Sequence, residues 1–146
     1  MLDGTDARDW FEPDSVLATY VALMDQLTER AEPGIKLSLT VGGLVVTGEL
    51  IPQWQWFAEV SALSNYEDAF YTGMAEYVKE QSDLAHEAVK VRDAGHEVSH
   101  KQHLALSAPT KYIHLRNARV STGNEGSLWR GRLSDVSGWS PASPTA

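Results

Sequence analysis

The chain has 146 residues, no cysteine, and twelve Lys and Arg against twenty Asp and Glu, for a formal charge of −8. That length supports one core without a staple, and 42% apolar residues with five Trp, five Tyr and three Phe exclude a disordered chain. The lack of cysteine excludes disulfides, thiolate zinc sites, iron–sulfur clusters and thiol nucleophiles and fits a reducing cytoplasm; the acidic balance argues against sequence-independent binding to a phosphate backbone.

Met1 to Asp14 holds five acids and one Arg, unlike the basic start and apolar run of a signal peptide. No stretch approaches the roughly 18 apolar residues of a membrane span. A single domain over 1–146 with no membrane association is therefore expected, with 1–13 frayed.

Asp14–Ala31 reads as an amphipathic helix. Leu17, Tyr20, Val21, Met24, Leu27 and Ala31 fall at helical spacing, while Asp25, Glu29 and Arg30 lie off that face. Pro33-Gly34 stops it. Ile35, Leu37, Leu39 and Val41 then alternate with Lys36, Ser38 and Thr40, which predicts a half-buried strand. Gly42-Gly43 predicts a tight hairpin, because such a turn needs positive φ. Leu44–Ile51 is the return strand, and Gly48 within it marks a bend or bulge. From Pro52 to about Ala94 the pattern is helical, with Asn65 a candidate interruption and Gly95 a stop. Residues 96–110 show no period and read as a linker, so 52–110 is a helical insertion plus linker. Tyr112–Val120 is strand-like, Gly123–Gly126 a loop, and Leu128–Leu133 and Asp135–Trp139 supply one or two further strands. Residues 140–146 form a polar, Pro-containing tail expected to fray. The predicted class is α+β: an N-terminal helix, then a small bent antiparallel sheet of about five strands, with the long helical insertion between strand pairs.

Charge is uneven along the chain. Residues 111–146 carry five bases and two acids, or +3; residues 15–110 carry six bases and thirteen acids, or −7. The C-terminal strands thus offer a local basic face on an acidic protein.

Chemistry-bearing patterns are sparse. His96, His100 and His103 stand at i, i+4 and i+7, a metal-ligand spacing if that stretch is helical. Only Glu97 is near enough in sequence to complete the set, and it points elsewhere on a helix, so a polar surface linker is the simpler reading and no metal or cofactor is expected. His86 lies among helix charges, and His114 reads as a partly exposed strand residue. Neither a nucleophile elbow nor a phosphate-binding glycine pattern occurs, and no enzyme is expected. The aromatics stand out more. Trp54 and Trp56 are two apart, about 160° around a helix, so either one is exposed to a partner or a helix packed on two sides buries both. Trp129 and Trp139 flank Arg130 and Arg132; core Trp with outward Arg is the ordinary arrangement, while a Trp and Arg cluster is also the composition of an interaction hot spot.

The run Tyr112-Ile-His-Leu-Arg-Asn117, a Gly-containing loop, Trp129-Arg-Gly-Arg-Leu133 and a final Gly138-Trp139 resembles the gas vesicle accessory protein U family. The hairpin Leu37–Ile51 looks like that family's first strand pair. The resemblance implies a non-enzymatic accessory protein, cytoplasmic and associated with gas vesicles, that assists their assembly or controls their clustering through contacts with the shell or with other accessory proteins. Trp54, Trp56, His114, Arg116, Trp129, Arg130, Arg132 and Trp139 are its candidate partner-binding residues. A second likeness is at the level of fold. Strand–Gly-Gly–strand, then Ile113-x-Leu-x-Asn-Ala118 and Trp129-Arg-Gly-x-Leu-x-x-Val136, look like the two motifs of Sm-like proteins, which bind RNA and assemble by edge-strand pairing. That likeness implies a homo-oligomer and, as the rival function, a binding module for nucleic acid or another ligand. Ile51-Pro-Gln-Trp-Gln-Trp56 stands where those proteins carry an Asp…Asn pattern, so RNA binding is not expected.

Overall fold

The computed structural model describes residues 14–63, 69–108, 110–121 and 126–142. Its elements are α1 (Ser15–Asp25), β1 (Ile35–Val41), β2 (Leu44–Leu50), α2 (Gln53–Leu63), α3 (Ala69–Asp93), α4 (His100–Ser107), β3 (Tyr112–Val120), β4 (Ser127–Arg132) and β5 (Val136–Pro141). The expected interruption at Asn65 and the loop residues 123–125 lie outside the described residues, as do 1–13 and 143–146.

Asp14 starts α1. Its carboxylate accepts hydrogen bonds from the Val16 and Leu17 N–H groups at 2.9 and 3.0 Å, which satisfies two of the four donors a helix start leaves open. The helix ends at Asp25, short of the expected Ala31, and the following loop is held by Gln55. The buried Gln55 amide accepts from Ala31 N–H at 2.7 Å and donates to Ala31 O at 3.2 Å.

The five strands form one antiparallel sheet in the order β4-β3-β2-β1-β5. Gly42 and Gly43, at φ 56° and 81°, turn the β1–β2 hairpin, and Val41 pairs with Leu44 across them. Of the bend or bulge expected at Gly48, a bulge is found, and its extra residue lies on β3 at Asn117 or Ala118. Thr47 pairs with Arg119 and Glu49 with Arg116, so two β3 residues stand opposite the single Gly48. The β3–β4 register shifts over the same stretch. Asn117 takes a left-handed conformation, φ 51°. Gly48 and Gly126 leave room for it: a Cβ on Gly48 would come within 3.1 Å of the Ala118 Cα, and one on Gly126 within 2.6 Å of the Asn117 Cα. β5 runs into the segment expected to fray, with Ser140 and Pro141 in register against β1 and the Ala142 N–H bonded to Lys36 O.

The sheet is covered on both faces. On one, Leu17, Val21 and Met24 of α1 pack on Leu37, Leu39, Val46, Leu50, Ile113, Leu115 and Leu133. The residues alternating with these point the other way, and α2 lies there against β3, itself covered by α3. The stretch read as a linker contains α4. Ser99 and Gln102 form a reciprocal cap, the Ser99 side chain accepting from Gln102 N–H and the Gln102 side chain from Ser99 N–H, which lets a short helix without a strong apolar period form.

Candidate partner-binding site

Strand alternation separates the C-terminal aromatics from the bases beside them. Trp129 pairs with Leu115 and Trp139 with Leu39, and both indoles pack against the α1-side core. The Trp129 ring lies over Gly131, where a Cβ would collide with it. Trp139 meets Tyr20 of α1 edge-on at 5.8 Å. Arg130 and Arg132 face the other way and are exposed. Core Trp with outward Arg is therefore the arrangement found.

His114 corrects the expectation of a partly exposed residue: it is 1% exposed. It sits under α2, with the Trp56 ring at 5.4 Å and the Phe57 ring at 6.1 Å. Its Nε2 accepts from Arg130 Nε at 2.9 Å. Burial, reinforced by the Arg130 charge, pushes its pKa down to about 3, so the ring is neutral and its proton sits on Nδ1, which has no hydrogen-bond partner. The Arg130 guanidinium stacks on Tyr112, 3.8 Å from the ring centroid. Tyr112 was not singled out from the sequence; its place beside His114 on one strand face, at i and i+2, was the available signal.

Trp54 and Trp56 both turn inward, because α2 is packed on two sides. Trp54 is buried and donates its indole N–H to Leu27 O at 2.8 Å, with the Lys79 ammonium 5.1 Å over its ring. Trp56 is half-buried on the sheet side. Neither is the exposed aromatic that a partner would meet first. Phe70 and Tyr77 of α3 are exposed aromatics, and α1 with the residues after it carries a further exposed apolar set. Val16, Tyr20, Leu23 and Leu27 recur at helical spacing and are 55%, 44%, 57% and 43% exposed, so α1 is apolar on its outer side as well as its core side.

Arg116 is a clasp rather than a free surface cation. Its guanidinium reaches Glu59 of α2 at 3.1 Å, Glu49 of β2 at 3.4 Å and Glu32 at 3.7 Å. Burial opposes the Glu49 carboxylate, but the Asn117 amide, the Gly34 N–H and Arg116 outweigh it and hold its pKa below the usual range. Burial likewise opposes the Arg116 cation, and Glu59 and Glu49 overcome it. The clasp joins α2 to the centre of the sheet.

Asp25, expected to lie off the apolar face, closes α1 against the insertion. Its Oδ1 accepts from Gln53 N–H at 2.9 Å, and its backbone carbonyl accepts from the Ser82 hydroxyl. Burial pushes its pKa up to about 7 against the lowering effect of the Gln53 N–H. It lines a cavity of about 380 Å³ bounded also by Val78, Leu106, Lys111, Tyr112 and Arg130.

The candidate histidines do not share a helix face. His96 lies in the connection before α4, while His100 and His103 are in α4, and all three are exposed. Among the described residues no group of three or more His, Asp or Glu is placed to hold a metal ion. None of the described helices is long and apolar enough to cross a membrane.

A family model described as gas vesicle protein GvpU-like matches residues 14–143, from the cap of α1 to just past β5. No curated protein and no solved structure matches the chain.

Proposed function

The chain belongs to the gas vesicle protein GvpU-like family, and from that footing we propose that it is a non-catalytic accessory protein. It acts in the cytoplasm on gas vesicles, assisting their assembly or controlling their clustering through contacts with the shell or other accessory proteins. The family match carries this reading. Two surfaces support it: the outer apolar stripe of α1, whose Tyr20 meets Trp139, and the outward cations Arg130 and Arg132. An apolar stripe on an otherwise acidic protein suits a partner of apolar surfaces that must itself stay dispersed, and rim cations set orientation more than affinity.

Flotation tests it. Purified protein is mixed with intact gas vesicles, and the buoyant layer is assayed. Saturable co-flotation is expected, weakened by Leu23→Glu and by Arg130→Glu with Arg132→Glu while both variants keep the native circular dichroism. Unchanged co-flotation of both variants refutes these surfaces; no co-flotation and no pull-down of a vesicle protein refutes the accessory role.

The alternative of an Sm-like binding module draws support from the N-terminal helix and the five-stranded antiparallel sheet with β4 and β5 as its outer strands. Pairing of those edges between copies would give the homo-oligomer, and light scattering after size exclusion decides it: a monomer at micromolar concentration rejects self-assembly through the edges.

A further inference from the structure

Beside the cavity at Asp25 lies a second of about 310 Å³, and Thr110, Lys111 and Tyr112 line both. Arg130 lines the first and Arg132 the second. Among the described residues none of Lys111, Arg130 and Arg132 has a carboxylate within ion-pair distance. The helices of the insertion give the first cavity a mixed wall, with Val78, Ala85 and Leu106 apolar and Gln81 and Ser82 polar.

Arg130 is held in one orientation before any partner arrives. His114 accepts its Nε–H at 2.9 Å, and Tyr112 takes the face of its guanidinium at 3.8 Å. A buried histidine kept neutral by its surroundings is an acceptor suited to this: a protonated ring would repel the arginine it positions. The two terminal nitrogens are left without a protein partner among the described residues. An arginine fixed through its inner nitrogen and its face, with its outer edge open to a cavity, presents the fork that a carboxylate fills with two parallel hydrogen bonds. Ordering it in advance removes part of the entropy that binding would otherwise cost.

We propose that this groove is a receptor for a carboxylate side chain carried on an otherwise apolar segment of a partner protein, with Arg130 as the binding group and His114 as its positioning residue. This deepens the accessory-protein reading by naming the chemistry of the partner. The size argues for one side chain and its neighbours rather than a polymer backbone. The protein's charge of −8 also opposes a nucleic acid, whose binding depends on an extended positive field.

Asp25 supplies a second signature. Among the described residues it is the sole acid lining the groove. The charged groups facing it there are Lys111, just before β3, and Arg130 of β4, with the Tyr112 phenol; α2, α3 and α4 contribute Gln53, Gln81, Ser82 and apolar side chains. Above about pH 7 Asp25 becomes an anion opposing the incoming carboxylate, so binding weakens from pH 6 to pH 8 and Asp25→Asn removes that slope.

The experiment is a nitrogen-15 NMR titration of the full chain with a capped Gly-Leu-Glu-Leu-Gly peptide and its Gln counterpart. The expected result is saturable shifts of the Arg130 Nε–H signal and of the Thr110 and Lys111 amides. Affinity should fall at least fivefold for the Gln peptide and for Arg130→Gln, with no rescue by Arg130→Lys. His114→Phe should also weaken binding and should broaden or move the Arg130 Nε–H signal in the free protein. Lys111→Gln, on an exposed residue, keeps the test alive should Arg130→Gln not fold; it should weaken binding about twofold. Equal binding of the Gln peptide, shifts confined to other surfaces, or saturable binding of oligothymidylate at the groove in place of the peptide overturns the proposal. Peptide binding without vesicle co-flotation refutes the vesicle reading and keeps the groove; co-flotation without peptide binding does the reverse.

Discussion

Replacing Asp25 by Asn should stabilise the protein at alkaline pH and leave it almost unchanged at acid pH. The carboxyl is partly enclosed, on the cavity wall where α1 ends against the start of α2, and its desolvation there raises its pKa from 3.8 to about 7. Folding therefore raises the affinity for the proton: between those values the folded chain holds a proton that the unfolded chain has released. The stability tied to that proton is complete below about pH 3.8 and is lost as the pH rises through about 7. About three pKa units at 1.36 kcal/mol each give roughly 4 kcal/mol as the full effect. Asn is neutral throughout and keeps an oxygen for the Gln53 N–H, so it mimics the protonated acid. Urea unfolding followed by tryptophan fluorescence at pH 4 and pH 8 measures the difference. The variant should exceed the wild type by several kcal/mol at pH 8 and by under about 1 kcal/mol at pH 4. An equal gain at both values, or none at pH 8, would refute the enclosed-carboxyl reasoning.

Arg116→Ala leaves Glu49, Glu59 and Glu32 facing one another and should cost about 3 kcal/mol in urea unfolding. Arg116→Lys should recover only part of this, since an ammonium cannot span Glu49 and Glu59 as the fork does. Asn117→Ala should cost about 3 kcal/mol, from the left-handed backbone and the lost 2.6 Å bond to Glu49. Asn117→Gly should cost about 1 kcal/mol less, because only the hydrogen bond goes; equal losses would show that the backbone conformation carries no strain. Ser99→Ala should weaken α4 by about 1 kcal/mol, seen as roughly fivefold faster amide exchange over residues 100–107 with α3 unaffected.

Much of this architecture can be read along the chain, and the remainder has identifiable physical reasons. The glycine pair Gly42-Gly43 and the alternation from Ile35 to Val41 state the first hairpin outright, because a turn and a strand are local. The second break in register is not local. Nothing in the order Leu115-Arg-Asn-Ala118 says that the extra residue falls at Asn117 or Ala118, since that depends on Gly48 and Gly126 arriving from other strands. α4 escaped a reading based on apolar period, yet Ser99 and Gln102 spell its cap. His114 looked exposed because polar residues alternating on a strand usually face water; a sheet covered on both faces instead pairs such residues with one another, as His114 with Arg130 and Glu49 with Arg116. The spacing of the two tryptophans of α2 allows exposure or burial, and the second packing surface, supplied by α3 and the end of α1, turns both inward. The cationic groove needs α1, the three helices of the insertion, β3 and β4 to meet, and has no sequence signal beyond the excess of bases after residue 110.

The point at which the helical insertion leaves the sheet bears on how the chain finds its shape. β2 ends at Leu50 and β3 begins at Tyr112, yet they are neighbouring strands: Leu50 pairs with Leu115, and the Ile51 N–H bonds to His114 O. The first hairpin closes over two residues, whereas this junction closes over the whole of 52–110. For a slack chain the longer closure would cost roughly 3 kcal/mol more in entropy. The excursion is not slack, because α2, α3 and α4 fold back on one another and return the chain to within a strand's width of where it departed. Helix docking is thus the event that makes the central strand pair affordable. A chain with 52–110 replaced by a short turn from Ile51 into β3 should pair these strands sooner while leaving Arg116 and His114 without the helix that covers them.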